Sequence, residues 1–184
     1  KLGVLTAEPL ERGFGLTLGN AIRRILLSSL QGAAITSIKI KGVVHEFSTI
    51  QGVKEDLTDI LLNLKSVAVK VHSPGLKKMY LKSSGSGELR AGNFETDSET
   101  EIMNPDQLIM TLDSNADIEI EANVETGKGY VSAEVADDEN KIIGEIKLDA
   151  MFSPVVKTSY KVENSRVGRV TDYDKLVFEV ETNG

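Results

Sequence analysis

The sequence has no cysteine among its 184 residues. That removes disulfides, thiolate nucleophiles and cysteine-ligated zinc together, and it suits a reducing cytosol. Histidine is nearly as scarce. His45 and His72 are the only two, and no H-E-x-x-H or H-x3-H spacing joins them, so a paired-histidine metal site has no support. No apolar run approaches the roughly 18 residues needed to span a bilayer, and the N-terminus lacks the layout of a signal peptide. A cytoplasmic location away from membranes is expected. Positive charge is also in short supply: 21 Lys and Arg face 28 Asp and Glu, a net charge of -7. Extensive contact with a phosphate backbone is therefore disfavoured, because such contact is driven by lysines and arginines displacing counterions.

What is present describes a folded chain. Hydrophobic residues make up 40% and charged residues 27%, with the signs mixed, and the length lies between one large domain and two small ones. The chain opens on Lys1 rather than Met, as a fragment or trimmed sequence would. Leu2 to Thr6 reads as a short strand, and Pro9 with Gly13 and Gly15 marks a turn. A helix follows, capped near Thr17 and running to about Ser29, before Gly32. Ile38 and Ile40 alternate with Lys39 and Lys41 as on a half-buried strand, with Val43 to Phe47 as a partner across Gly42. A second helix is predicted over Val53 to Lys65, with Glu55 and Asp56 in its first turn. From Val67 onward strands dominate: Val67 to Val71, Met79 to Lys82, Leu108 to Leu112, Ile118 to Val124, Tyr130 to Val135, Ile143 to Leu148, Val155 to Val162 and Lys175 to Val180. "SSGSG" (Ser83 to Gly87) and "DDEN" (Asp137 to Asn140) read as loop tips, and no internal repeat is present. Two early helices followed by many short strands indicate an α+β protein.

Three stretches could carry chemistry. "RGFGLTLG" has spaced glycines, but Leu18 stands where a dinucleotide fingerprint needs its third glycine, and the G-K-[ST] ending of a P-loop is missing. Gly13, Gly15 and Gly19 are better read as turn glycines that permit close backbone approach. Asp172 and Asp174 in "TDYDK" could hold a divalent cation, yet an i, i+2 acidic pair is common on exposed turns and such sites need more ligands. There is no G-x-S-x-G elbow. No catalytic residue, metal site or cofactor is indicated.

The first helix says more. Turning about 100° per residue, Leu18, Ala21, Ile22, Ile25, Leu26, Ser29 and Leu30 fill an arc of roughly 180°, wider than the stripe of about 100° that one core face needs. Leu27 lies out of phase on the far side, between Arg23 and Arg24. A lone exposed leucine is ordinary, but one framed by arginines fits a protein interface, where Arg is enriched.

"LERGFGLTLGNAIRRILLSS" resembles the signature of the N-terminal domain of the bacterial RNA polymerase alpha subunit. The resemblance continues through "GVVHEFSTIQGVKEDLTDILLNLK", "GKGYV", "DAMFSPV" and "TDYDKLVFEVETNG" in the family order and covers nearly the whole chain, with only a loose match over Pro74 to Glu101. It implies a noncatalytic scaffold that dimerises and recruits the large catalytic subunits, beta and beta prime. It also implies a two-layer dimerisation domain built from both chain ends, residues 1 to 31 and 156 to 184. A mostly β second domain, residues 32 to 155, would be inserted between them. On this resemblance Arg24 and Leu27 contact beta, while Lys65 and Leu148, where family members often carry Val, contact beta prime. Phe14, Leu18, Ile22 and Ile25 are the expected dimer contacts. In the family a long helix follows "ETNG" and packs on the partner copy, and a linked small domain binds DNA. The sequence ends at Gly184, so weakened dimerisation and no direct DNA contact are expected. Two other readings stand beside this one: a small nucleotide-binding enzyme using the Gly13 to Gly19 loop, and a stand-alone acidic binding module.

Overall fold

The computed structural model describes residues 1–44, 47–133, 144–168 and 170–183. His45, the "DDEN" stretch, and parts of the strands predicted over Tyr130 to Val135 and Ile143 to Leu148 lie outside the described residues. In chain order the elements begin with β1 (Leu2–Leu10), α1 (Phe14–Ser28), β2 (Gln31–Ile40), α2 (Leu57–Lys65), β3 (Val69–Val71), β4 (Lys77–Ser84) and β5 (Gly87–Arg90). They continue with β6 (Thr100–Ile102), β7 (Leu108–Leu112), β8 (Asp117–Lys128), β9 (Tyr130–Val131), β10 (Glu145–Lys147), β11 (Ala150–Met151), β12 (Val155–Val167) and β13 (Val170–Thr182). The chain is thus α+β, mostly strand with two helices. It divides into two compact units, Lys1–Gln31 with Ser153–Gly184, and Gly32–Phe152.

The terminal unit is a three-stranded antiparallel sheet in the order β1-β13-β12, with α1 packed on β12 and β13. Leu176 and Phe178 of β13 are buried, while Glu179 between Phe178 and Val180 is exposed, the two-residue alternation of a sheet covered on one face. Phe178 stacks on Tyr160 of β12, the ring centroids 5.9 Å apart.

α1 begins at Phe14, ahead of the Thr17 start predicted from the sequence, because its cap comes from elsewhere in the chain. The N-cap residue Gly13 sits at φ 91 and offers no side chain. Instead the Asp174 carboxylate on β13 accepts hydrogen bonds from the N–H groups of Gly13, at 2.8 Å, and Gly15, at 3.1 Å. Thr17 does not cap: its hydroxyl donates back to the Gly13 carbonyl at 3.2 Å. Gly13 is a turn residue as expected. Gly15 and Gly19, also expected in the turn, are one helical turn apart inside α1 and are its buried residues. A Cβ at Gly15 would lie 2.8 Å from Val162 Cγ1, and one at Gly19 would lie 2.5 Å from the Tyr160 ring. The helix therefore rests on its sheet through bare backbone.

The insert unit is built on a six-stranded sheet, ordered β4-β8-β2-β3-β6 with β10 also paired to β2. Ile38, Ile40, Met79, Leu81, Ile118, Ile120 and Val124 come from its strands into one buried cluster. α2 adds Leu57, Ile60 and Leu64 to that cluster, the i, i+3, i+7 stripe of an amphipathic helix. The stretch from Pro74 to Glu101 holds β4 and β5 and enters β6. Val43 to Phe47 contributes no strand among its described residues; β2 pairs instead with β3, β8 and β10.

α2 also starts later than its apolar periodicity suggested, at Leu57 rather than Val53. Asp56 is the N-cap, its carboxylate accepting from the Asp59 N–H at 2.8 Å. Val53 bridges to Leu112 of β7. Glu55 is drawn to the same strand, its carboxylate accepting from the Thr111 N–H at 2.7 Å and the Thr111 hydroxyl at 2.8 Å. Burial pushes the Glu55 carboxyl up, but those two bonds outweigh it and hold it below the usual carboxylate value.

Three substitutions test these anchors. Asp174→Ala should cost about 0.5–2 kcal/mol, the range for loss of a helix cap, in chemical denaturation followed by circular dichroism, with Asp174→Asn costing less. Gly19→Val should cost more, since β-branched bulk would meet the Tyr160 ring; unchanged stability in both would show that α1 is not held this way. The lowered pKa of Glu55 means that its contribution is complete above the unfolded-state pKa and disappears as pH falls through the folded one. Glu55→Gln should therefore reduce stability near pH 7 and leave it almost unchanged near pH 3 in parallel urea titrations.

Candidate functional site

Because glycine backbone makes the sheet contact, the apolar side chains of α1 are left over. At about 100° per residue, the direction toward the sheet is defined by Gly15, Gly19 and Leu26, the last half-buried. Phe14, Leu18, Ile22 and Ile25 form one stripe on one flank of that direction. Their exposures run from 37% for Leu18 and Ile22 to 51% for Phe14 and 55% for Ile25. Leu16 and Leu27, 58% and 38% exposed, lie on the opposite flank. Arg23 is near them, and Arg24 points away from the sheet. Neither arginine has an ion-pair partner among the described residues. On the strand side of the same unit Leu2, Val4 and Leu5 of β1 are also exposed.

The wide apolar arc read from the sequence reaches the sheet along Leu26, beside the glycines, while Leu18, Ile22 and Ile25 of the same arc stay exposed on one flank. Leu16 was missed because the helix was started too late. Its phase, matching that of Leu27, becomes visible once the first turn includes it.

A second constellation lies in the insert. Lys65 ends α2, and its Nζ donates to Asp149 Oδ2 at 2.8 Å. Asp149 Oδ1 accepts from the Ala133 N–H at 3.0 Å. The Ala133 bond and then the Lys65 ammonium hold the Asp149 carboxyl below its usual value. Leu148, expected as a surface contact, is instead in the hydrophobic core at 5% exposure. Its N–H is tied to the Thr36 carbonyl at 2.8 Å. The structure brings positions 65 and 148 into one neighbourhood, with Asp149 rather than Leu148 touching the lysine. Nothing in the composition around Asp149 pointed to it.

The remaining candidates carry little chemistry. His72 faces Glu101 at 3.8 Å, both half exposed. Asp172 is exposed, and Asp174 is engaged as the cap of α1. No group of three or more His, Cys, Asp or Glu side chains able to hold a metal occurs among the described residues. A half-open cavity of about 510 Å³ on the insert sheet mixes Lys39, Lys41 and Lys82 with Glu95, Glu119 and Glu121 around Tyr80. Lys41 already lies 3.5 Å from Glu119, so the cavity offers no cluster of free charge. No helix among the described residues is long and apolar enough to cross a membrane.

A family model described as the RNA polymerase Rpb3/RpoA insert domain matches residues 38–153. That match covers more than half of the chain and overlays most of the insert unit. The chain belongs to the Rpb3/RpoA family of RNA polymerase subunits, as an alpha-type N-terminal domain.

Proposed function

We propose that this chain is a noncatalytic assembly scaffold of a bacterial, cytoplasmic RNA polymerase. In the intact protein it would form a homodimer and recruit the beta and beta prime subunits, whose active site performs nucleotidyl transfer. The observation that carries this reading is the docking of α1 through Gly15 and Gly19, which leaves two apolar flanks of one helix without a partner. Contiguous exposed apolar surface of that kind marks a site of association.

The two flanks take different partners. In a C2 dimer the contact is isologous, the same patch serving on both copies. The regular stripe of Phe14, Leu18, Ile22 and Ile25 fits that role, with the terminal unit as the dimerisation domain. The opposite flank, with Leu27, Arg24 and the newly placed Leu16, stays open and serves as the contact for beta. Because the flanks diverge from the glycine line, one helix can engage both partners at once. Lys65, in the insert, is assigned to beta prime. The nucleotide-binding alternative has less to build on, because the N–H groups of Gly13 and Gly15 already face the Asp174 carboxylate. A phosphate would have to displace that charge.

The test separates the flanks. Arg24→Ala and Leu27→Ala should each weaken capture of beta by roughly thirtyfold, the effect of losing an interface hot spot of about 2 kcal/mol, while the dimer persists. Ile22→Asp should do the reverse, shifting the dimer to monomer in sedimentation velocity. Normal beta capture by folded Arg24→Ala and Leu27→Ala chains would refute the assignment. So would saturable micromolar ATP, GTP or NAD binding that Gly15→Val abolishes.

A further inference from the structure

We infer that Asp149 is a positioning residue for the beta prime contact: it holds the Lys65 ammonium in place and joins the end of α2 to the β9–β11 ribbon as one surface. This rests on the reading of Lys65 given above and deepens it.

The geometry runs from the core outward. Leu148 is buried and its N–H is fixed to Thr36, so the backbone at Asp149 is anchored from beneath. The Asp149 carboxylate, about one-third exposed like its partner, then uses both oxygens. One accepts from the Ala133 N–H just beyond β9, at 3.0 Å, and the other from Lys65 Nζ, at 2.8 Å. Tyr130, on β9, pairs in register with Met151 across the ribbon. Tyr130 is 58% and Met151 61% exposed.

An ion pair this accessible to water contributes little to stability. Its effect falls on where Lys65 stands. A free lysine on a helix end samples many rotamers, and a partner must bear the cost of fixing one on binding. Asp149 fixes it in advance. A lysine can make three donor contacts, so the ammonium can give one to Asp149 and still meet an acceptor on the partner. Leu148 thus acts on the contact indirectly, through the position it gives to Asp149.

The experiment is a double-mutant cycle on the full chain in a preassembled dimer–beta complex, titrated with purified beta prime. Lys65→Ala and Asp149→Ala should each weaken binding by about threefold to tenfold, and the double variant should bind no more weakly than Lys65→Ala alone, the non-additivity of residues acting as a unit. Asp149→Asn keeps the bond from Ala133 and guards against a folding defect; it should match Asp149→Ala in binding while melting like the wild type. Normal binding by Asp149→Asn with weakened binding by Lys65→Ala overturns the positioning role alone. Fully additive losses overturn it as well, since Asp149 would then act without the lysine. Normal binding by Lys65→Ala overturns the beta prime assignment itself, and the role of Asp149 with it.

Discussion

The terminal unit depends on the contact of two helix glycines with the sheet, Gly15 on Val162 and Gly19 on the Tyr160 ring. Gly15 and Gly19 let the backbone of α1 descend onto Val162 and Tyr160 at distances that no Cβ would tolerate. Close backbone packing usually leaves a helix with side chains on its remaining faces to be covered by its own domain. Here the domain is a three-stranded sheet, too narrow to wrap a helix of 15 residues. The small buried set in this unit, chiefly Leu176 and Phe178, is a poor core for a free-standing domain, since small domains bury a lesser share of their surface. The unit's own anatomy therefore favours the association proposed for it. Its glycine contact determines which side chains of α1 are presented outward and in which directions.

The cap by Asp174 belongs to the same constraint. With glycine at the N-cap, the exposed donors of the first turn need an acceptor, and a carboxylate at that end is also favoured by the helix dipole. Supplying it from β13 ties the start of α1 to a strand 161 residues away in sequence. The first turn of the helix and the last strand are joined through this one carboxylate. This couples the two ends of the chain, and the surfaces carried by Phe14 and Leu16 inherit the position that the cap sets.

What could be read from the sequence, and what could not, divides along the range of the interactions. The apolar excess of the first helix and the odd phase of Leu27 are local periodicities, visible in a window of 15 residues. The alternation in β8 and β13 is equally local, and the strand-rich α+β character followed from it. The helix starts were misplaced for a common reason. At α1 the capping group is Asp174, and at α2 the residues before Asp56 are pulled onto β7 by Thr111, so in both cases a distant partner overrides local propensity. Gly15 and Gly19 were recognised as sites of close approach, but the object approached, the Tyr160 ring, has no sequence signal at their positions. Leu148 was placed on the surface by resemblance alone. Its burial beside the half-buried Asp149 depends on the core formed by β2 and α2, which no local pattern around it encodes.

These differences bear on how a scaffold of this kind keeps its specificity. Hydrophobic flanks supply affinity but discriminate poorly among partners, because any apolar surface of suitable shape can cover them. Polar groups held at defined points discriminate better, since a wrong partner leaves them desolvated and unpaired. The chain places one such element beside each proposed contact with a large subunit: guanidinium groups without an ion-pair partner among the described residues near Leu16 and Leu27, and the Lys65–Asp149 pair near Tyr130 and Met151. The stripe of Phe14, Leu18, Ile22 and Ile25 has no comparable charge within it. An isologous contact can do without one, because a copy of the same surface is its partner and shape complementarity is set by symmetry. The distribution of charge on these surfaces therefore separates the proposed self-association contact from the contacts proposed for two different large subunits.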